Sequence, residues 1–372
     1  MNEKKSLLLH IHKLDGGGAE RQLTYLAKGL TERGWNVHVV TLYSGGVYWD
    51  SLKTVEGCIL HSLNRKGKKD FSVIPKLRNY IKQQKVDAVQ GWMPPCNSFA
   101  SIAAWWAGVP SFMAVRAADN QYGFGARLFL KSDKYFAKYL AKVVIYNSYR
   151  GKTHYSRMGY PAHNAMVVPN GLLFPEGVDF SKPLNTPPWK LAMVARFDPV
   201  KDHNLMFDAL SRLRLDDYPV ELHLYGEGNN VMEAQLRSKA DELGVDAYIH
   251  WHGFSTDIWR ALNNTDILVS VSKSEGLSNT LLEGMAACRP IVATNVGDAK
   301  TLLGGNNERG ILIPKEDITA LVTGIKMIID TKDRAVTMGK NAAGFVVERY
   351  TIAAMVDKYE SLYRQHIEHG RN

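Results

Sequence analysis

Two carboxylates with seven residues between them frame the most chemically suggestive segment of this 372-residue sequence, Ser274-Glu275-Gly276-Leu277-Ser278-Asn279-Thr280-Leu281-Leu282-Glu283. Glu275 follows an apolar run at 267–270 that reads as a strand. Glu283 falls one turn into the helix predicted over 280–288. Between them, the backbone amides of 276–280 gather at a helix N-terminus, where partial positive charge suits a phosphate. In that reading the flanking carboxylates hold sugar hydroxyls on one side and ribose hydroxyls on the other. A second reading is structural: Thr280 and Glu283 fit a capping box, and Glu275 fits a solvated loop.

Arg196 and Lys201 follow a predicted strand at 190–195 and fall in a single strand-to-helix loop. Two cations there can neutralise a diphosphate, the guanidinium as a fork and the ammonium as a point charge. The same loop also reads as plain structure, with Pro199 in the turn and Asp202 as a helix N-cap. Gly16-Gly17-Gly18 allows backbone to approach a ligand closely, or makes a tight turn. It is not the dinucleotide fingerprint, and Gly226-Glu227-Gly228 is only half of one. Gly151-Lys152-Thr153 imitates the end of a P-loop, but Tyr146 stands where that motif needs glycine. His10/His12 and His250/His252 each place two imidazoles on one strand face. Neither pair has a cysteine or acidic third ligand beside it in sequence, so both read as strand histidines and no metal site is predicted. No Asp-x-Asp occurs.

These residues need elements to position them. Residues 6–12 read as a buried parallel strand, 19–30 as a helix after the glycine run, and 36–42 as the next strand, which together make a βαβ unit. Strands at 86–90, 111–115, 143–146 and 165–168 and a helix at 99–107 continue the rhythm. Four prolines (Pro175, Pro183, Pro187, Pro188) mark 172–189 as a linker. A second series follows, with strands at 190–195, 220–225, 248–251, 267–270, 291–294 and 311–313 and helices at 203–213, 231–243 and 280–288. Two successive series predict two doubly wound α/β domains, with ligands at the carboxyl ends of strands and the natural site in the cleft between them.

Composition agrees: 45% hydrophobic and 22% charged residues describe a globular chain. Cys58, Cys96 and Cys288 lie far apart, which excludes a zinc ribbon and fits a reducing compartment. The apolar stretch at the N-terminus is too short for a signal peptide, and the run at 99–115 is too short to span a bilayer. Residues 1–172 carry 24 Lys and Arg against 10 Asp and Glu, net +14, and the remainder 22 against 27, net −5. The basic half suits an anionic partner. Lys131, Lys134, Lys138 and Lys142 recur at helical spacing, and Arg65-Lys66-Gly67-Lys68-Lys69 adds a basic loop. These read as a solvated face or as a surface for an anionic leaflet. No nucleic-acid motif or stacking aromatic run is present, so no nucleic-acid partner is expected.

Taken together, these pieces resemble the retaining glycosyltransferases of the GT-B fold, family four, over nearly the whole chain. Gly16-Gly17-Gly18-Ala19-Glu20-Arg21 resembles the family's N-terminal glycine loop, and Val167-Val168-Pro169-Asn170-Gly171 the entry to its linker. Arg196…Lys201 resembles its diphosphate-binding pair and Glu275…Glu283 its E-x7-E motif. Val296-Gly297-Asp298 and residues 307–314 resemble the segments that follow. The resemblance implies an acceptor-side domain at 1–172, with the helix near 352–372 packed back on it, and a donor-binding domain at 173–351. It implies that Arg196 and Lys201 bind the donor diphosphate and stabilise the leaving nucleotide. Glu275 then contacts donor-sugar hydroxyls, Glu283 the ribose, and the backbone around Ser278, Asn279 and Thr280 the phosphate, with Gly17 and Gly18 approaching the donor from the other domain. No metal or other cofactor is implied. One departure stands out. Many relatives carry a sugar-contacting histidine near Trp92-Met93-Pro94-Pro95-Cys96-Asn97, and this chain has none there, leaving Asn97 or Arg116 as substitutes.

The resemblance further implies transfer of a hexosyl or N-acetylhexosaminyl group from a UDP- or GDP-sugar, with retention of configuration. The acceptor it implies is a polyprenyl-linked saccharide in surface-polysaccharide biosynthesis, met by a cytoplasmic protein peripheral to the inner face of the cell membrane. Two alternatives use the same fold: a sugar-nucleotide 2-epimerase and a catalytically dead nucleotide-binding module.

Overall fold

The computed structural model describes residues 4–116, 124–174, 186–255 and 257–369, with the side chains of 124–131 and 369 left aside. The chain divides into two compact units, residues 1–171 with 352–372, and residues 172–351.

The first unit alternates β1 (Ser6–Ile11), α1 (Gly18–Glu32), β2 (Asn36–Thr41), α2 (Val47–Lys53), β3 (Cys58–Ser62), α3 (Val73–Gln83), β4 (Ala88–Trp92), α4 (Cys96–Ala107), β5 (Ser111–Val115), α5 (Phe124–Tyr139), β6 (Ala141–Tyr146), α6 (Tyr149–Arg157) and β7 (Ala165–Val167). All seven strands are parallel, in the order β3-β2-β1-β4-β5-β6-β7. The alternation of side chains across a strand sorts β1 onto two faces. Leu7, Leu9 and Ile11 pack with α1, while Leu8 packs with Leu77 and Ile81 of α3 and Phe99 of α4.

The second unit repeats the plan with β8 (Trp189–Val194), α7 (His203–Leu215), β9 (Val220–Tyr225), α8 (Asn230–Glu242), β10 (Ile249–Trp251), α9 (Ile258–Asn263), β11 (Ile267–Ser270), α10 (Asn279–Ala286), β12 (Ile291–Thr294), α11 (Ala299–Leu303), β13 (Ile311–Ile313), α12 (Ile318–Asp330) and α13 (Lys332–Arg349). Its parallel order is β10-β9-β8-β11-β12-β13. Leu191, Met193, Ile267 and Val269 face the α7 and α12 side, and Ala192 and Leu268 face α10. The last helix, α14 (Ile352–His369), belongs to the first unit and packs on α1 through Met355, Val356, Tyr359 and Tyr363.

Both sheets run outward in two directions from a central pair, β1/β4 in one and β8/β11 in the other. Loops leaving such a pair at its carboxyl end diverge to opposite faces and open a crevice, the usual ligand position in this class of sheet. The proline-rich linker expected over 172–189 lies mostly outside the described residues; Pro187 and Pro188 fall inside and lead directly into β8.

Two expectations from the sequence are corrected here. Lys142 does not continue the helical basic stripe: α5 ends at Tyr139 and Lys142 is an exposed residue of β6. The Lys131 side chain lies outside the described residues. Arg65 is no loose basic residue; it is buried, donates to the carbonyls of Lys68 and Asp70, and lies over the Phe99 ring. In this way it folds the loop that exposes Lys66, Lys68 and Lys69.

Candidate functional site

In the second unit, four loops leaving the carboxyl ends of β8, β9, β11 and β12 lock together through their backbones. Lys273 N–H donates to the Val200 carbonyl at 2.8 Å, joining the loops after β11 and β8, and Asp298 N–H donates to the Gly276 carbonyl at 2.9 Å, joining those after β12 and β11. Phe197 N–H donates to the Glu227 carbonyl, which ties in the loop after β9. Two glycines make this approach feasible. Gly226 has φ +152° and a Cβ there would lie 1.9 Å from the Ala195 carbonyl oxygen; Gly297 has φ +60° and its Cβ would lie 2.3 Å from the Gly276 oxygen. Both conditions exclude an ordinary side chain. The half-fingerprint Gly226-Glu227-Gly228 is therefore accounted for by loop packing.

Lys201 and Glu275 meet in this cluster. The Lys201 ammonium is ion-paired with Glu275 Oε1, which also accepts from Ser272 Oγ at 2.8 Å. Both side chains keep partial solvent contact, 23% and 18% exposed, so water can replace a bond given up to a ligand. Arg196, in contrast, reaches into solvent with 81% of its side chain exposed and is ion-paired with Asp198 at 3.8 Å. The structure thus joins Lys201 to Glu275 and leaves Arg196 extended.

Beside the pair, α10 begins. Its N-cap is Ser278, whose Oγ accepts from Leu281 N–H at 3.3 Å. The capping box on Thr280 is therefore not formed: Thr280 lies inside the first turn and its hydroxyl donates to the Val194 carbonyl at 3.2 Å, fastening α10 to the end of β8. Glu283 lies further along α10, only 5% exposed, so it is not part of a solvated face. Asn279 opens the helix, and its first-turn amides stand beside the Lys201–Glu275 pair in sequence and topology.

Sequence reasoning missed several supports of this arrangement. Ser272 holds Glu275, and Thr294 of β12 holds the Ser272 carbonyl at 2.6 Å. His203, the first residue of α7, is buried against Phe197 and bonded to the Ala195 backbone, and burial pushes its pKa down to about 4. A neutral ring there positions the loop that carries Arg196 and Lys201. None of these residues forms a motif: Ser272 reaches Glu275 within one loop, His203 reaches back to the loop before it, and the pairing of β12 with β11 brings in Thr294.

In the first unit, Gly17 is the N-cap of α1 and Gly18 its first residue. The Glu20 carboxyl curls back over this turn, bonded to its own backbone amide, with its pKa raised by burial. Of the two stand-ins for the absent histidine, Asn97 is corrected. Asn97 is fully buried and spends its amide on Ala114, donating to the carbonyl at 3.1 Å and accepting from the N–H at 3.2 Å. It pins α4 to β5 and offers nothing to a sugar. Arg116, at the end of β5, stacks on Trp92 at 4.1 Å and donates to Asn170 Oδ1 and to the Tyr359 hydroxyl, both at 2.8 Å. Its guanidinium fixes the chain just before Gly171 and ties α14 to the sheet. Burial lowers its pKa, and its bonded partners are neutral. His10 is buried and bonded to the Val40 carbonyl at 2.8 Å, as a strand histidine should be.

Comparison with known proteins fits this geometry. Residues 16–172 match the family described as Glycosyltransferase Family 4, and residues 176–345 match Glycosyl transferases group 1. The chain is 24% identical over 95% of its length to the lipopolysaccharide core biosynthesis glycosyltransferase LpsE of Rhizobium meliloti, covering 97% of that protein. It is 22% identical over 46% of its length to poly(ribitol-phosphate) alpha-N-acetylglucosaminyltransferase of Staphylococcus aureus, of which the match spans 34%. Among solved structures, Anabaena HepE in complex with UDP superposes with a TM-score of 0.83 at 19% identity, covering 97% of this chain and 100% of that one. With both units matched and the fold shared, the chain belongs to the family-four glycosyltransferases of the GT-B fold.

Proposed function

We propose that this protein transfers a sugar from a UDP- or GDP-sugar to a polyprenyl-linked saccharide in bacterial surface-polysaccharide biosynthesis, with retention of configuration and without a metal. The observation that carries this reading is the Lys201–Glu275 pair at the crevice between β8 and β11, beside the N-terminus of α10. A donor diphosphate entering there competes for Lys201, frees the Glu275 carboxylate for sugar hydroxyls, and takes the α10 first-turn amides around Ser278, Asn279 and Thr280 as donors. Arg196, extended in the free protein, folds onto the same phosphates. Glu283, buried in α10, takes the ribose hydroxyls. In the reaction the acceptor oxygen bonds to the anomeric carbon, the bond from that carbon to the diphosphate breaks, and the leaving phosphate receives the acceptor's proton. Two cations aimed at the developing phosphate charge supply electrostatic stabilisation, the largest contribution in most such sites.

The relatives' names support a cell-surface glycan acceptor, and the first unit supports a membrane-bound one. Trp105 and Trp106 of α4 are 68% and 51% exposed, and α4 packs on α5, where Lys134 and Lys138 sit over the rings of exposed Tyr135 and Tyr139. Amphipathic aromatics among lysines are the side chains that settle at a lipid headgroup boundary. Among the described residues no helix is long and apolar enough to cross a membrane. The test is a screen of UDP- and GDP-sugars, alone and with a polyprenyl-linked acceptor. Transfer, or slow donor hydrolysis, supports the proposal. An isomerised donor would establish the epimerase instead, and tight binding without turnover a dead module.

A further inference from the structure

The strand histidines at 250 and 252 acquire neighbours that the sequence does not place beside them. On β9, Val220, Leu222 and Leu224 turn into the core, so Glu221, His223 and Tyr225 share the other face. The parallel register sets His250 of β10 directly beside His223, and the ladder continues as His252 N–H donates to the Leu224 carbonyl. The rings stack: His223 and His250 centroids are 4.5 Å apart, His223 and His252 5.2 Å, and His252 and Tyr225 4.4 Å. One ligand atom each from Glu221, His223 and His250 lies within 4.8 Å of the others. His250 Nε2 is 3.2 Å from Glu221 Oε2, and His223 Nε2 is 3.9 Å from that oxygen.

We propose that Glu221, His223 and His250 form a binding site for a divalent transition-metal ion, Zn²⁺ foremost, on the edge of the second sheet. Two imidazoles and one carboxylate are a familiar zinc donor set, with a fourth position left for water. The arrangement around His223 adds a second, independent sign. Its Nδ1 is 2.9 Å from His252 Nε2, while its Nε2 is buried and has no hydrogen-bond partner among the described residues. A metal-binding imidazole typically donates its other ring N–H to a fixed acceptor. With His252 as that acceptor, His223 Nε2 presents a bare lone pair toward Glu221. Lys190, the register partner of Glu221 on β8, is the opposing charge in the neighbourhood. Such an ion clips three-residue edge strand β10 to β9, and binding only the folded chain raises its stability by mass action.

The test uses tag-free full-length protein stripped with chelator and then titrated with Zn²⁺ alone, followed by calorimetry and elemental analysis. The site predicts one ion per chain and a higher melting temperature with Zn²⁺. His250→Ala and Glu221→Gln, both at solvent-accessible positions, should each weaken uptake tenfold or more and abolish the thermal shift. His252→Ala, which removes the orienting bond, should cost about 10–100-fold. Co²⁺ in place of Zn²⁺ should give the intense visible bands of a four-coordinate ion. Absence of stoichiometric uptake, or uptake unchanged in His250→Ala and Glu221→Gln, would overturn the proposal. Donor turnover followed in parallel separates this site from the proposed activity, since none of these side chains belongs to the donor site: turnover should be equal in wild type and His250→Ala.

Discussion

The Lys201 ammonium is bonded to the Glu275 carboxylate across the ends of two neighbouring strands, joining residues 74 apart in sequence. The pair occupies the point where the second sheet changes direction, and its two members carry the opposite charges that a sugar diphosphate needs. In the free protein each satisfies the other, so neither charge is left partly buried without a partner. In the proposed function, a donor replaces that bond with two others.

Removing either cation tests this exchange. Lys201→Ala and Arg196→Ala each withdraw charge from the leaving diphosphate, an effect of ~3 kcal/mol or more in a site that excludes water, or about a hundredfold in kcat. Steady-state kinetics should show the loss mainly in kcat. Added EDTA should leave wild-type turnover unchanged, and an absolute requirement for Mg²⁺ or Mn²⁺ would contradict the assigned roles.

Glu283 separates a ribose contact from a structural one. Glu283→Gln keeps the shape of the buried side chain, so the melting temperature should move by only a few degrees. Donor KM should rise, and kcat/KM should fall more for a ribose donor than for its deoxyribose analogue. Equal losses on both donors, with a strongly lowered melting temperature, would return Glu283 to the helix core.

Asp133 predicts an unusual pH dependence of stability. It is 1% exposed on α5, held by Ser98 Oγ, with Oδ2 unpartnered among the described residues, and burial pushes its pKa up to about 7. Between the unfolded value near 4 and that folded value, the folded chain binds more protons than the unfolded one, so this group lowers stability as pH rises across the window. Asp133→Asn removes the slope. Its melting temperature should exceed that of wild type by more at about pH 8 than at about pH 5, a difference on the order of a few kcal/mol in stability. An equal offset at both values would refute it.

Membrane attachment should be weak and salt-sensitive, because each basic residue near an anionic surface contributes ~1 kcal/mol, screened over ~8 Å at physiological salt. Co-sedimentation with anionic vesicles should fall on replacing Lys134 and Lys138 by Gln, and fall further with Trp105→Ser and Trp106→Ser. Donor hydrolysis should not change. Wild type that ignores anionic vesicles even at low salt would favour a soluble acceptor.

The two parallel sheets were legible because each buried strand is a short apolar run closed by turn residues; 111–115, 220–225, 267–270, 291–294 and 311–313 agree with the structure to the residue. Strand β3 was not legible. Half-buried and exposed positions alternate along it with none fully buried, and Cys58 and His61 break the apolar run at the sheet edge. The spacing that sets Glu275 in the loop after β11 and Glu283 on α10 could be read. Chemistry assembled by register could not: Thr294 of β12 under Ser272, and Glu221 and His223 of β9 beside His250 of β10, come from strands that only the fold brings together. Asn97 and Arg116 show the converse, since their position near the strand ends was visible but the hydrogen bonds that tie them to Ala114, Asn170 and Tyr359 were not.

The central claim is that this site moves a sugar and keeps its anomeric configuration. Proton NMR of the anomeric signals during the reaction follows both at once, using the donor found by the screen and its polyprenyl-linked acceptor. The account predicts that the donor's anomeric doublet decays while a product doublet of the same configuration grows, with nucleoside diphosphate released in equal amount, and that Lys201→Ala suppresses both changes together. A product of opposite configuration, or a donor that isomerises without releasing nucleotide, would contradict it.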